Sequence, residues 1–215
     1  MRAQPQTTVK LILASASPRR AALLSQAGYQ FQVHPAHLDE DRYLDKFSPR
    51  QLAAFLATAK AWEIARQFPD DLTLAADTVI AFGDQALGKP ADPAAAREMI
   101  GLLGGATHLV ITGIALHCPA REIELGASVM SAVRMRVLNP AELEEYVRSD
   151  RWHGKAGGYG IQDADPIVTC IGGSVSNVIG LPMSQTRELL HQAGILPTEA
   201  SDNDDKSGHD AGPSV

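Results

Sequence analysis

Only two cysteines, Cys118 and Cys170, occur among the 215 residues. They lie far apart without metal-type spacing, which excludes a disulfide framework and reads as two reduced structural thiols. Basic excess is also missing. A net charge of −6 excludes a protein whose main partner is nucleic acid, because tracking a phosphate backbone needs a broad basic surface. No run approaches the roughly 18 consecutive apolar residues of a membrane span. The opening MRAQPQTTVK is too polar and too short for a signal peptide, so the expectation is a cytoplasmic protein without a membrane partner. Internal repeats and an interdomain linker are absent too. With 45% hydrophobic residues to fill a core, one domain is expected over residues 9–196. Residues 197–215 lack apolar periodicity and read as a disordered tail.

What is present begins at residues 11–20, LILASASPRR, a buried strand running straight into a helix N-terminus. Ser17 stands as the N-cap and Pro18 as the first helical residue. Arg19 and Arg20 then occupy the first turn, where acidic residues would complement the helix dipole. That reversal suits an anionic ligand: backbone N–H groups, the hydroxyls of Ser15 and Ser17 and two guanidinium forks make a phosphate cradle. The competing reading is a capped helix with two solvated arginines.

The same grammar recurs downstream. Ser48-Pro49 with Gln51, Asp92-Pro93, and Asn139-Pro140 with Glu142 each open a helix. Leu52, Phe55, Leu56 and Ala59 share one face of the first of these. Residues 29–34 alternate as a half-buried strand, residues 72–82 are a run buried on both faces, and residues 107–118 and 122–138 are long strands. Two short strands are expected around Gly172-Gly173, and a last helix between Leu181-Pro182 and Gly194. The mixture implies an α/β fold around a mixed, twisted central sheet flanked by helices.

Asp77 is the most informative carboxylate, since an acid inside AADTVI either faces a cavity or is desolvated at a large cost. Asp39, Glu40 and Asp41 form an acidic loop suited to a hard cation such as Mg²⁺ bound together with phosphate. Lys60, Lys89 and Lys155 are available to meet phosphate. Neither Gly88-Lys89-Pro90 nor Gly154-Lys155-Ala156 fits the P-loop pattern, and glycines 154, 157, 158 and 160 miss the dinucleotide fingerprint. His34, His37 and Asp39 offer zinc-type donors, but Pro35 breaks helical spacing and no fourth ligand is evident. Ser15 and Ser17 lack the histidine or G-x-S-x-G setting of a serine nucleophile.

Taken in order, SASPRR, Asp39-Glu40, Ala59-Lys60-Ala61, Ala76-Asp77-Thr78, Gly88-Lys89-Pro90, Lys155-Ala156-Gly157 with Tyr159-Gly160-Ile161-Gln162, and Gly180-Leu181-Pro182 resemble the Maf family of nucleoside triphosphate pyrophosphatases. The resemblance implies a two-lobed single domain similar to inosine-triphosphate pyrophosphatases. It also implies hydrolysis of a nucleoside triphosphate to monophosphate and pyrophosphate with a divalent cation, Mg²⁺ or Mn²⁺, and a homodimer as a family-level expectation. It carries the role of proton acceptor onto Asp77, with metal ligation by Asp77 as the alternative. Ser15, Ser17, Arg19, Arg20, Glu40, Lys60 and Lys89 become phosphate or metal contacts. Arg19, Thr78 and Gln162 resemble the branch acting on dTTP and UTP, where the 7-methyl-GTP branch carries Trp, Gln and Glu. The Gln162 amide presents both a donor and an acceptor to a pyrimidine edge. Two departures stand out: Asp163 replaces a usual glycine, and Trp152-His153-Gly154 replaces a more acidic stretch. The rivals are a nucleotide-sensing regulatory module linked to cell division and a purine-type pyrophosphatase.

Overall fold

A computed structural model describes residues 9–198. Its strands are β1 (Leu11–Leu13), β2 (Gln32–Val33), β3 (Leu72–Phe82), β4 (Gln85–Leu87), β5 (Thr107–Cys118), β6 (Ile123–Met135) and β7 (Val168–Gly172). The helices are α1 (Pro18–Gln26), α2 (Pro49–Ala65), α3 (Pro93–Leu103), α4 (Pro140–Arg148), α5 (Val175–Ile179) and α6 (Met183–Gln192). All strands join one sheet in the order β2-β1-β3-β5-β6-β7, with β4 also on β3. β1 runs parallel to β2 and β3, and the remaining pairs are antiparallel, so the sheet is mixed. No helix among the described residues is long and apolar enough to cross a membrane.

Helix starts follow local chemistry. Asp92 accepts the Ala95 N–H at 2.8 Å to open α3, and Asn139 and Glu142 satisfy each other's backbone N–H at 3.0 and 2.8 Å to open α4. Gln51 accepts the Ser48 N–H at 3.2 Å at the start of α2. Ser17 has the extended backbone of an N-cap, yet its side chain caps nothing in α1.

β3 is the spine, and its two faces differ. Thr73, Ala75, Asp77, Val79 and Ala81 face α2, while Leu72, Leu74, Ala76, Thr78 and Ile80 face the opposite layer. α2 lies unusually close to the sheet: a Cβ added at Gly113 would sit 2.2 Å from the Ala53 carbonyl oxygen. The buried stripe of α2 therefore runs through Ala53, Ala57 and Ala61 beside Leu52, Leu56 and Ile64. Phe55 and Ala59, expected on that stripe, are only part-buried; Phe55 instead stacks on Phe47 at 4.8 Å and meets Tyr43 in a tilted contact at 4.9 Å.

The opposite face carries two hydrophobic clusters. One joins Leu24 of α1 and Leu190 of α6 to Leu74 and Ile114, and the other joins Ile100 of α3 and Tyr146 of α4 to Ile80 and Val110. Thr78 and Thr112, paired across β3 and β5, form the seam between these lobes. At the edge of β3 away from β5, β1 pairs with residues 72–74 and β4 with residues 80–82. Residues 75–79 have no strand beside them there, which opens the sheet next to Asp77 and Thr78.

Two further readings change. Residues 29–34 contribute only the two-residue β2, an edge strand with both side chains exposed. Gly173 leads into helix α5, not a strand. Thr198, in the expected tail, donates its N–H to the Gly28 carbonyl at 2.8 Å. The rest of the expected tail, residues 199–215, lies outside the described residues.

Candidate active site

The opening beside β3 leads into a cavity of about 490 Å³, within the usual size range for small-molecule sites. Ser15, Ser17, Arg19, Arg20, Glu40, Lys60, Asp77, Thr78, Lys89, Lys155 and Gln162 all line it. These come from six separate segments of the sequence. Five cationic side chains and two carboxylates meet there, a local positive excess in a chain of net charge −6. The neighbours of Glu40 in the acidic loop, Asp39 and Asp41, do not reach the wall. His34 packs on Phe68 with ring centroids 4.4 Å apart, and no cluster of three or more His, Cys, Asp or Glu suited to a metal occurs among the described residues.

Lys60 is the hub of the acidic end. The fourth turn of α2 carries its ammonium across the sheet face to Asp77, which it contacts directly, and to Glu40 at 2.5 Å. Lys89 holds the other Glu40 oxygen at 2.6 Å. Lys60 is 6% exposed and Asp77 3%, so solvent screens this pair little. The two carboxylates respond in opposite directions. Burial pushes Asp77 above the usual carboxylate range and outweighs the pull of Lys60. Burial opposes ionisation of Glu40 as well, but Lys60 and Lys89 together hold it down to about 2.

The SASPRR segment supplies the cationic end. The first turn of α1 contains no acidic residue and no side-chain cap, leaving its dipole uncompensated within the helix. Arg20 is fixed by three partners: Nε donates to the Gly180 carbonyl at 2.8 Å, Nη1 to Ser15 Oγ at 3.0 Å and Nη2 to Thr78 Oγ1 at 3.2 Å. Burial lowers its pKa against the raising fields of Asp77 and Glu40, and a guanidinium remains charged regardless. Arg19 reaches toward the Gly154 carbonyl at 3.5 Å, too long to fix it in place.

The far wall is the loop after α4. Gly157 turns there with φ of 70°, and a Cβ at this position would lie 2.8 Å from Ile80 Cγ1, so the loop can lie on β3 only with glycine. Tyr159 anchors the loop through His108 Nε2 at 2.6 Å. Burial drives the His108 pKa down to about 4, leaving the ring neutral. Lys155 is bound by both oxygens of Asp163 at 2.7 and 2.9 Å. The residue that departs from the family pattern thus occupies a lysine expected to meet substrate.

Several wall residues were not singled out as contacts from sequence, among them His153, Tyr159, Val178 and Ile179. His153 and Tyr159 flank recognised motif positions, whereas Val178 and Ile179 carry no chemical signal and supply an apolar floor through α5. The two carboxylates offer hard oxygen donors beside cationic groups, a set that fits a divalent cation shared with phosphate oxygens.

The family model described as "Maf-like protein" matches residues 10–193. A protein named dTTP/UTP pyrophosphatase from Syntrophus aciditrophicus is 41% identical over 92% of this chain and 96% of its own length. Proteins of the same name from Hyphomonas neptunium and Rhodospirillum rubrum are 45% and 44% identical, over 86% and 87% of this chain and 95% and 89% of theirs. A solved structure described as a nucleoside-triphosphatase / dITP/XTP pyrophosphatase from Mycobacterium abscessus aligns with 86% of this chain and 95% of its own. Its identity is 16% and its TM-score 0.44, a likeness too loose to argue from. With the family match spanning nearly all the described residues, this chain belongs to the Maf family.

Proposed function

We propose that this protein hydrolyses dTTP and UTP to the monophosphate and pyrophosphate, clearing such nucleotides from the free pool. The observation that carries the reading is the cavity's charge arrangement: five cationic side chains surround two carboxylates held on one buried ammonium. Relatives named dTTP/UTP pyrophosphatase at 41–45% identity support the substrate class.

In this reading the α1 N-terminus, Ser17, Arg19 and Lys89 bind the triphosphate, and Arg20 holds Ser15 against it. Ser15 Oγ already accepts from Ser17 N at 3.2 Å and from Arg20 at 3.0 Å, so its own proton is left to donate to a phosphate oxygen. The opposite pKa directions of the two carboxylates support separate roles for them. Glu40 stays anionic and serves as the cation ligand; Asp77, with its raised pKa, accepts the proton of the attacking water. Glu40, beside Asp77, would hold a divalent cation, which when bound would supply charge neutralisation for the triphosphate. Lys60 keeps both carboxylates in place and adds positive potential where negative charge develops. Gln162 and Arg19 read the base, with Val178 and Ile179 beneath it.

The test is pyrophosphate release from individually supplied nucleotides, with Mg²⁺, with Mn²⁺ and without metal. Faster release from dTTP and UTP than from purine nucleotides, dependent on metal, is expected. Binding without release would instead identify a sensor, and preference for inosine triphosphate or 7-methyl-GTP would identify a purine-type enzyme.

A further inference from the structure

A chain of hydroxyls leaves the cavity wall and enters the seam between the lobes. Arg20 Nη2 lies 3.2 Å from Thr78 Oγ1, Thr78 Oγ1 lies 3.0 Å from Thr112 Oγ1, and Thr112 Oγ1 lies 3.1 Å from the Asn177 carbonyl oxygen. Thr112 and Asn177 are fully buried, and neither lines the cavity. The two ends fix the direction of every bond. A guanidinium only donates and a carbonyl only accepts, while each hydroxyl has one proton. Every contact in the row holds a proton only if Arg20 donates to Thr78, Thr78 to Thr112, and Thr112 to Asn177. The reverse orientation between the threonines would leave two buried oxygens in contact with no proton between them.

This has a consequence at the wall. Thr78 has given its proton to Thr112 and one lone pair to Arg20, so the cavity meets only its remaining lone pair. Ser15, on the other side of Arg20, has the opposite polarity, with both acceptor sites used and its proton free. A phosphate oxygen therefore suits Ser15 and is repelled by Thr78. The group that suits Thr78 is a ligand N–H. Uracil and thymine carry a proton on ring N3, and cytosine carries a lone pair there.

We propose that Thr112 is a positioning residue which, by accepting the Thr78 proton, makes Thr78 an obligate acceptor for the ring N3 proton that uracil and thymine nucleotides carry and cytosine nucleotides lack. The proposal rests on the pyrimidine triphosphate reading above and adds the device that discriminates within that class. Thr112 touches no substrate and acts only through the Thr78 hydroxyl.

The test compares kcat/KM for UTP and CTP in the wild type, Thr112→Val and Thr112→Ser. Valine preserves the shape of threonine and removes the acceptor. It does not orphan Asn177, whose carbonyl keeps the Gly180 N–H at 3.0 Å. In Thr112→Val the Thr78 proton turns toward the cavity, and the UTP-to-CTP ratio is expected to fall about tenfold, the scale of one net hydrogen bond. Thr112→Ser keeps the hydroxyl and should retain the wild-type ratio. Equal loss on both nucleotides in Thr112→Val would show a merely structural role and overturn the proposal, as would a serine variant that discriminates no better than valine. A wild type that turns over UTP and CTP equally would refute the proposal and leave the pyrimidine reading standing, whereas a wild type that releases pyrophosphate from neither would refute the premise. A wild-type preference that Thr112→Val leaves unchanged would refute the proposal alone.

Discussion

Replacing Lys60 with methionine isolates the electrostatic core of the site, because methionine retains most of the stem that packs on the sheet and deletes only the ammonium. Two carboxylates now share that ammonium, and their fates differ. Glu40 keeps Lys89 at 2.6 Å, but Asp77, 3% exposed, loses its direct counter-ion. Removing one partner of a buried ion pair costs roughly 3–5 kcal/mol. For a domain of this size that corresponds to a fall in Tm of roughly 6–20 °C. The sign of the pH dependence follows from linkage. Asp77 already has a folded-state pKa raised by burial, and loss of Lys60 raises it further. The folded protein then binds more protons than the unfolded chain above the ordinary aspartate pKa, so stability falls as pH rises through that window. Lys60→Met should consequently be closer to wild type in urea unfolding at pH 5.5 than at pH 8. Adding Asp77→Asn should restore much of the loss, since the orphaned charge is gone. A Lys60→Met protein within about 1 kcal/mol of wild type at both pH values, or a double variant no more stable than the single, would refute the buried-hub interpretation.

Other variants probe separate parts of the account. Gly113→Ala should destabilise by about 3 kcal/mol or more, because the new Cβ meets Ala53 backbone at 2.2 Å and no side chain can rotate away; chemical denaturation measures it. Asp163→Asn releases Lys155 from its clamp and should lower KM for UTP by roughly fivefold, the scale of a weakly screened ion pair, with kcat little changed. Gln162→Glu should weaken pyrimidine turnover by about tenfold relative to other nucleotides, because a carboxylate loses the amide's donor; unchanged relative rates across a nucleotide panel would contradict that role.

Much of this architecture was legible because it depends on local chemistry. Asp92, Asn139 with Glu142, and Ser48 with Gln51 mark helix starts through short-range hydrogen bonds, and the structure keeps all three. Asp77 stood out as a charge inside an apolar run, which only a cavity or a partner can explain, and it has both. Elements that escaped depend on distant contacts. β4 has three residues, too few for periodicity to register. The five residues of α5 are rich in β-branched side chains and read as strand, but the hydroxyl of Ser131 and the carbonyl of Asn177 tie that segment into the seam as a single helical turn. The stripe of α2 was misplaced because larger side chains dominate a periodicity argument, whereas closeness to Gly113 admits alanine. Thr112 was invisible for another reason: threonine is ordinary in a strand, and only its place between Thr78 and Asn177 makes it informative.

The most direct measurement is product analysis of UTP turned over by the wild type and by Asp77→Asn, with folding checked by circular dichroism. The account predicts UMP and pyrophosphate as the only wild-type products and a fall in kcat of roughly 10²–10⁴ in the folded variant, the usual contribution of a positioned base. UDP and orthophosphate as products, or a folded Asp77→Asn protein with near-normal turnover, would contradict it.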